Sequence, residues 1–123
     1  MYEDFAKALK KNTGIIQSTF NTFNLQVLQV GYRPYGVEDE DEEADADCDF
    51  IIEVSTLNEG KMKCNGYIKV NLYDEEGDLI SNDCIAVYSD KFSGYDTYKV
   101  MMINDRKTLL RAKSAKVYMS QTM

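Results

Sequence analysis

From Tyr67 to Ile80 apolar and polar residues alternate, stop at an acidic break containing Gly77, and then resume. A period of two puts Ile68, Val70 and Leu72 on one side of a strand and Tyr67, Lys69 and Asn71 on the other. The break Asp74-Glu75-Glu76-Gly77-Asp78 then reads as a tight connection into a second strand. A chain with such a unit at its centre is β-rich, and the unit holds no recognisable catalytic constellation.

The same period recurs along the chain. Leu25 and Val27 alternate, then Leu28, Val30 and Tyr32 do so in the opposite phase, which predicts a bulge or burial of both faces near Val27. Gly31, Pro34 and Gly36 are expected to end that strand. Phe50, Ile52 and Val54 begin another, and Asn58-Glu59-Gly60 reads as a turn. A strand from Leu79 to Tyr88 is expected, irregular at Asn82-Asp83, followed by a loop at Asp90–Gly94. Tyr98, Val100 and Met102 point inward in the next strand, and Ala115, Val117 and Met119 in the last. Between those two, Asn104 to Leu110 is either a hairpin connection or one helical turn.

Only the N-terminus is clearly helical. Tyr2, Phe5, Ala6 and Leu9 share one helical face, with Glu3 and Asp4 in the first turn and Lys10 and Lys11 in the last. Asn12-Thr13-Gly14 supplies the stop, so a helix is expected within residues 1–13. Ile15 to Asn24 fits neither period. Strands spaced this closely, without helices of crossover length between them, predict an all-β fold. The expected architecture is one domain over residues 1–123, an antiparallel β-sandwich of six or seven strands with a short N-terminal α-helix.

Val70-x-Leu72-Tyr73-Asp74, followed by Glu75-Glu76-Gly77-Asp78-Leu79-Ile80, resembles the signature strand and turn of the FxLYD-type immunoglobulin-like β-sandwich domains. The resemblance runs from about Phe50 to the end of the chain, and Val70 stands where that family carries Phe. It implies an immunoglobulin-like fold, of a kind found mostly on exported bacterial proteins, with no catalytic residues and a binding or accessory role. Physically, Leu72 would fill the core, Tyr73 would cover an edge, Asp74 would start the turn and Gly77 would supply positive φ.

Composition removes several chemistries. The 123 residues contain no histidine, so imidazole triads, His-ligated metals and His proton shuttles are excluded. Cys48, Cys64 and Cys84 show no zinc-ligand spacing and read as buried free thiols in a reducing compartment. No apolar run is long enough to span a membrane, and the N-terminus lacks a secretory h-region, which predicts a cytoplasmic protein if Met1 is the native start. No glycine-rich phosphate motif occurs, so no cofactor is expected.

Charge is the remaining clue. Glu38 to Asp49 holds nine acids in twelve positions, within a chain of net charge −7, and is expected to be a solvated acidic loop over residues 36–49. Asp45, Asp47 and Asp49 have the spacing that opens a calcium loop. Phe50 stands where such a loop needs Gly, and Thr56 where it needs Glu, so they are weak calcium candidates. Lys99 to Met123 is basic and reads as a C-terminal hairpin.

The first functional expectation is a non-enzymatic protein-binding or accessory module. Tyr32, Tyr35, Tyr67 and Tyr95 would offer contact area, while Glu38, Asp39, Glu40, Asp41, Glu42 and Glu43 would steer a basic protein partner. The alternative is an acidic inhibitor or immunity-type protein whose acid loop mimics nucleic-acid phosphates. An enzyme working through carboxylates or a cysteine ranks last and would require a pocket lined by ionisable groups. Net acidity disfavours nucleic-acid binding, no membrane partner is expected, and the amphipathic helix with an unpaired edge strand would allow a homodimer.

Overall fold

The computed structural model describes residues 2–35 and 45–123, with the side chains of the first helix from Lys7 onward. In chain order the elements are α1 (Tyr2–Lys11), β1 (Thr13–Ile15), α2 (Gln17–Asn21), β2 (Leu25–Tyr35) and β3 (Asp45–Thr56). They continue with β4 (Gly66–Tyr73), β5 (Leu79–Val87), β6 (Tyr95–Asp105), α3 (Arg106–Leu110) and β7 (Ser114–Ser120). One sheet has the order β1-β7-β4-β5 and the other β2-β3-β6. Every pairing is antiparallel except that of β1 with β7. The fold is an all-β sandwich with a short N-terminal helix.

Alternation builds the core. Ile68, Val70 and Leu72 from β4 and Val117 from β7 meet Phe50, Ile52, Val54, Val100 and Met102 from the facing sheet, all of them buried. Tyr32 adds its ring edge-on to Phe50, with centroids 5.0 Å apart and planes at 76°. Leu9 is fully buried, so α1 docks on the sandwich.

Ile15–Asn24 divides into a short strand and a short helix because its polar side chains find partners within the segment and in β2 and β7. The Thr19 hydroxyl accepts from the Met119 N–H at 2.9 Å, tying α2 to β7. The Gln17 amide donates to Asn21 Oδ1 at 2.7 Å and to the Leu25 carbonyl at 3.1 Å. Asn24, at φ 59°, leaves the helix in the left-handed region that Asn tolerates.

Several boundaries differ from the expectation. Strand β2 runs through Gly31 and Pro34 to Tyr35, because it flanks its sheet and Pro34 needs no second ladder there. Its register shift does fall between Val27 and Gln29. Asn82 and Asp83 pair regularly with Asn71 and Val70, and the irregularity of β5 lies instead opposite Leu72 and Tyr73. The basic C-terminal segment is no hairpin: β6 and β7 lie in opposite sheets, and α3 carries the chain between them.

The turn after β4 behaves as its residues dictate. Asp74 Oδ1 accepts from the N–H groups of Glu76 and Asp78, both at 3.0 Å, and Oδ2 takes Arg111 Nη2 at 3.2 Å. Those bonds, the backbone of Asp78 foremost, hold the carboxyl below its ordinary pKa. Gly77 has φ 84° and Leu72 is fully buried. Asp74, Glu76 and Asp78 bring carboxylate oxygens within 4.8 Å of one another, an arrangement that the turn itself accounts for.

Candidate functional site

Strand β3 begins at Asp45, so the second half of the acid run is strand and not loop. The reason lies in the residues between the acids. Ala46, Cys48 and Phe50 are buried, and alternation sends Asp45, Asp47 and Asp49 to the opposite face of the β2-β3-β6 sheet. Glu38, Asp39, Glu40, Asp41, Glu42 and Glu43 lie outside the described residues.

The register fixes what surrounds these acids. Asp49 stands between Arg33 of β2 and Met101 of β6, and Asp47 between Tyr35 and Ile103. Asp45 lies opposite Asp105. Tyr35, Met101 and Ile103 are exposed by 49%, 45% and 57%, which puts three large apolar side chains on the surface at one end of the sheet. Asp49, by contrast, is 3% exposed. A shallow depression of about 210 Å³, lined by Tyr35, Asp45, Ala46, Asp47 and Ile103, opens beside the pair.

The electrostatics of the pair are unusual. Lys99 Nζ lies 3.9 Å from Asp49 Oδ2, a long contact from a half-exposed side chain. Asp47 Oδ1 and Asp49 Oδ1 are buried and have no hydrogen-bond partner among the described residues. Burial first, and then the neighbouring Asp49 carboxylate, push the Asp47 pKa up to about 6, with Lys99 and the Cys48 N–H pulling weakly the other way. Burial, reinforced by Asp47 and Asp49, also pushes the Cys48 thiol up to about 12, so at neutral pH it is a protonated packing residue. Asp45, Asp47 and Asp49 do not converge as a metal-binding trio.

A stability prediction follows from the sign of the Asp47 shift. A raised folded pKa gives a contribution that is full below the ordinary carboxylate range and is lost as pH rises through about 6. Asp47→Asn does not titrate. It is therefore expected to be about 1–2 kcal/mol more stable than wild type at pH 8, after discounting for the solvent that reaches Asp47. The advantage should vanish by about pH 3, below the ordinary carboxylate pKa. Denaturant unfolding of both proteins at the two pH values measures it.

The other candidates are scattered. Tyr35 and Tyr95 are exposed, the Tyr95 hydroxyl donating to Glu53 Oε1 at 2.8 Å at the far end of this face. Tyr32 turns inward onto Phe50 and is half-buried rather than exposed, and Tyr67 is half-buried in the other sheet. Of the thiols only Cys48 is buried; Cys64 and Cys84 are partly exposed, because β5 flanks its sheet and Cys64 lies in a connection. Met101 and Ile103 escaped the sequence reading, although Val100-Met101-Met102-Ile103 is apolar on both faces where a half-buried strand needs only one.

No family model and no curated protein sequence matches this chain. Among solved structures, a beta-glucuronidase from glycoside hydrolase family 2 is similar, with a TM-score of 0.42 and 12% identity. The alignment covers 80% of this chain and 11% of that one, so the chain spans about a tenth of that enzyme's length. No helix among the described residues is long and apolar enough to cross a membrane.

Proposed function

We propose that this chain is a non-enzymatic protein-recognition module, and that its binding face is the outer surface of β2-β3-β6 around Asp47 and Asp49. The partner presents a Lys or Arg side chain flanked by apolar residues. One observation carries the reading: two carboxylates, each with an unpartnered oxygen, are framed by the exposed Tyr35, Met101 and Ile103. Apolar anchors around a partly desolvated charge are the composition of an interface centre, and a cation there gains more than it would on an open surface. The FxLYD-type resemblance, with its binding or accessory role and immunoglobulin-like fold, points the same way.

The phosphate-mimic alternative draws less from this geometry. A mimic needs exposed, ionised acids, and of the four acids on β3 only Asp45 is exposed. Steering of a basic partner by Glu38–Glu43 is compatible with the proposed face, since it acts on encounter more than on the docked contacts.

Selection of displayed random peptides on the immobilised chain tests the reading. Peptides with a basic residue between apolar ones are expected to be enriched. Their binding should fall at least about tenfold in the double variant Tyr35→Ser/Ile103→Ser, in line with loss of two apolar anchors. Lys69→Ser, on the opposite sheet, should leave it unchanged. An absence of enrichment, or enrichment indifferent to the Tyr35 and Ile103 changes, overturns the proposal.

A further inference from the structure

Asp47 and Asp49 are neighbours on one face of the central strand of a three-stranded sheet, and each keeps Oδ1 buried without a donor. A buried acceptor left unsatisfied is costly, and two ionised carboxylates placed together add repulsion to that cost. One hydrogen held between the two carboxyls relieves both, since the protonated member becomes a donor to the other.

Among the described residues, the surroundings supply no competing donor to those oxygens. From β6, Lys99 reaches Asp49 Oδ2 at 3.9 Å, while Met101 and Ile103 are apolar. From β2, Arg33 stands across from Asp49 and Tyr35 across from Asp47, both exposed, and neither satisfies an Oδ1. On β3 itself Asp45 and Glu53 add only negative charge, one register step beyond Asp47 and two beyond Asp49. Past Asp45, the Asp105 carboxyl accepts from the Thr108 N–H at 2.7 Å as the cap of α3, whose cations Arg106 and Lys107 follow it in the chain. The Cys48 side chain is on the core face and stays neutral.

We propose that Asp47 and Asp49 form a one-proton site, the two carboxyls sharing a single hydrogen that decides whether the face offers a cationic side chain one negative charge or two. The regulatory half of this rests on the binding face proposed above; the shared proton rests on two buried, unpartnered Oδ1 atoms borne two residues apart on one face of β3. The upward displacement of the Asp47 pKa to about 6 agrees with it. Below that pH the pair is a monoanion with an internal hydrogen bond. Above it the pair is a dianion whose second charge a Lys or Arg of a partner would neutralise, so capture of such a partner strengthens as pH rises.

Carboxyl-detected ¹³C NMR of the full chain, titrated from about pH 3 to 9 across the range of ordinary and raised carboxyls, tests the site. Expected in wild type is an upper step near pH 6 at the Asp47 carboxyl carbon, mirrored in the chemical shift of the Asp49 carboxyl carbon at the other end of the hydrogen. Asp49→Asn should lower the Asp47 midpoint by about one pH unit or more. Lys99→Met, which keeps both carboxyls and alters only a half-exposed side chain, should raise the upper step; it serves if Asp49→Asn does not fold. An Asp47 midpoint in the ordinary carboxylate range with no matching change at the Asp49 carbon, or a midpoint indifferent to these substitutions, overturns the proposal. The titration involves no partner. Its failure retires the shared proton and leaves peptide selection to judge the binding face, and failure of the selection leaves the proton to this titration.

Discussion

Phe50→Ala is expected to lower the unfolding free energy by about 3–5 kcal/mol, the range for emptying a phenylalanine site in a packed core. Phe50 is 0% exposed at the middle of the central strand β3, paired with Tyr32 on one side and Val100 on the other. Its loss removes the edge-on contact with Tyr32, whose ring has no other aromatic neighbour among the described residues. The cavity left behind would lie directly under the face that carries Asp49. A domain of this size has only about 5–15 kcal/mol in hand, so the variant should sit near the threshold of folding at 37 °C. Denaturant unfolding followed by far-UV circular dichroism measures the loss. A change below about 1 kcal/mol would mean that the two sheets do not meet at this position.

Phe50 was legible in the sequence because a period of two needs only the local pattern. So were Ile68, Val70 and Leu72, and so was the turn at Asp74 and Gly77, whose conformation is set by residues within five positions of one another. The proposed binding face was not legible in that way. Asp47 and Asp49 drew attention as part of an acid run, and a run of like charges argues for a solvated loop when read alone. Their place on a central strand depends on pairing with Arg33 and Tyr35 upstream and with Met101 and Ile103 some fifty residues downstream. Register across that separation leaves no local trace. The segment Ile15–Asn24 escaped for a related reason: Gln17 and Thr19 complete their hydrogen bonds with β2 and β7, so their preference for turns was overridden by tertiary partners.

The basic C-terminal segment gives a second instance. Lys99 and Arg111 are twelve positions apart and look like one charged surface. The fold sends them to different tasks, Lys99 to Asp49 on β3 and Arg111 to Asp74 in the turn after β4. Composition could say that acids and bases would meet, and only topology could say which. The pairs are also unequal. Arg111 completes a carboxylate that already accepts two backbone N–H bonds, whereas Lys99 makes one long contact with a pair that keeps two oxygens unsatisfied. That inequality separates a structural acid from a candidate binding acid.

Gly66→Ala is the second substitution with a large expected effect, about 2–3 kcal/mol of destabilisation from a single added methyl group. A Cβ at Gly66 would lie 2.5 Å from Phe23 Cε2, 2.9 Å from Phe23 Cζ and 3.2 Å from Met119 Cε. Met119 can yield, because a thioether chain has rotamers to spare. Phe23 cannot yield as easily: its ring is 2% exposed, and the chain around it is pinned. The Phe23 carbonyl accepts from the Lys63 N–H at 3.2 Å, and the Asn24 carbonyl from the Leu57 N–H at 2.9 Å. The Asn24 side chain accepts from the Asn58 N–H at 3.1 Å and donates to the Lys61 carbonyl at 3.3 Å. Pushing the ring therefore strains the connection between β3 and β4 together with the packing of α2. The double variant Phe23→Leu/Gly66→Ala separates this account from a simple backbone effect of alanine. If the clash with the ring is the cause, the smaller leucine side chain relieves it, and the cost of Gly66→Ala falls to well below its value in wild type. If Gly66→Ala costs the same with the phenylalanine ring present as with leucine in its place, the strain comes from the strand and the ring plays no part.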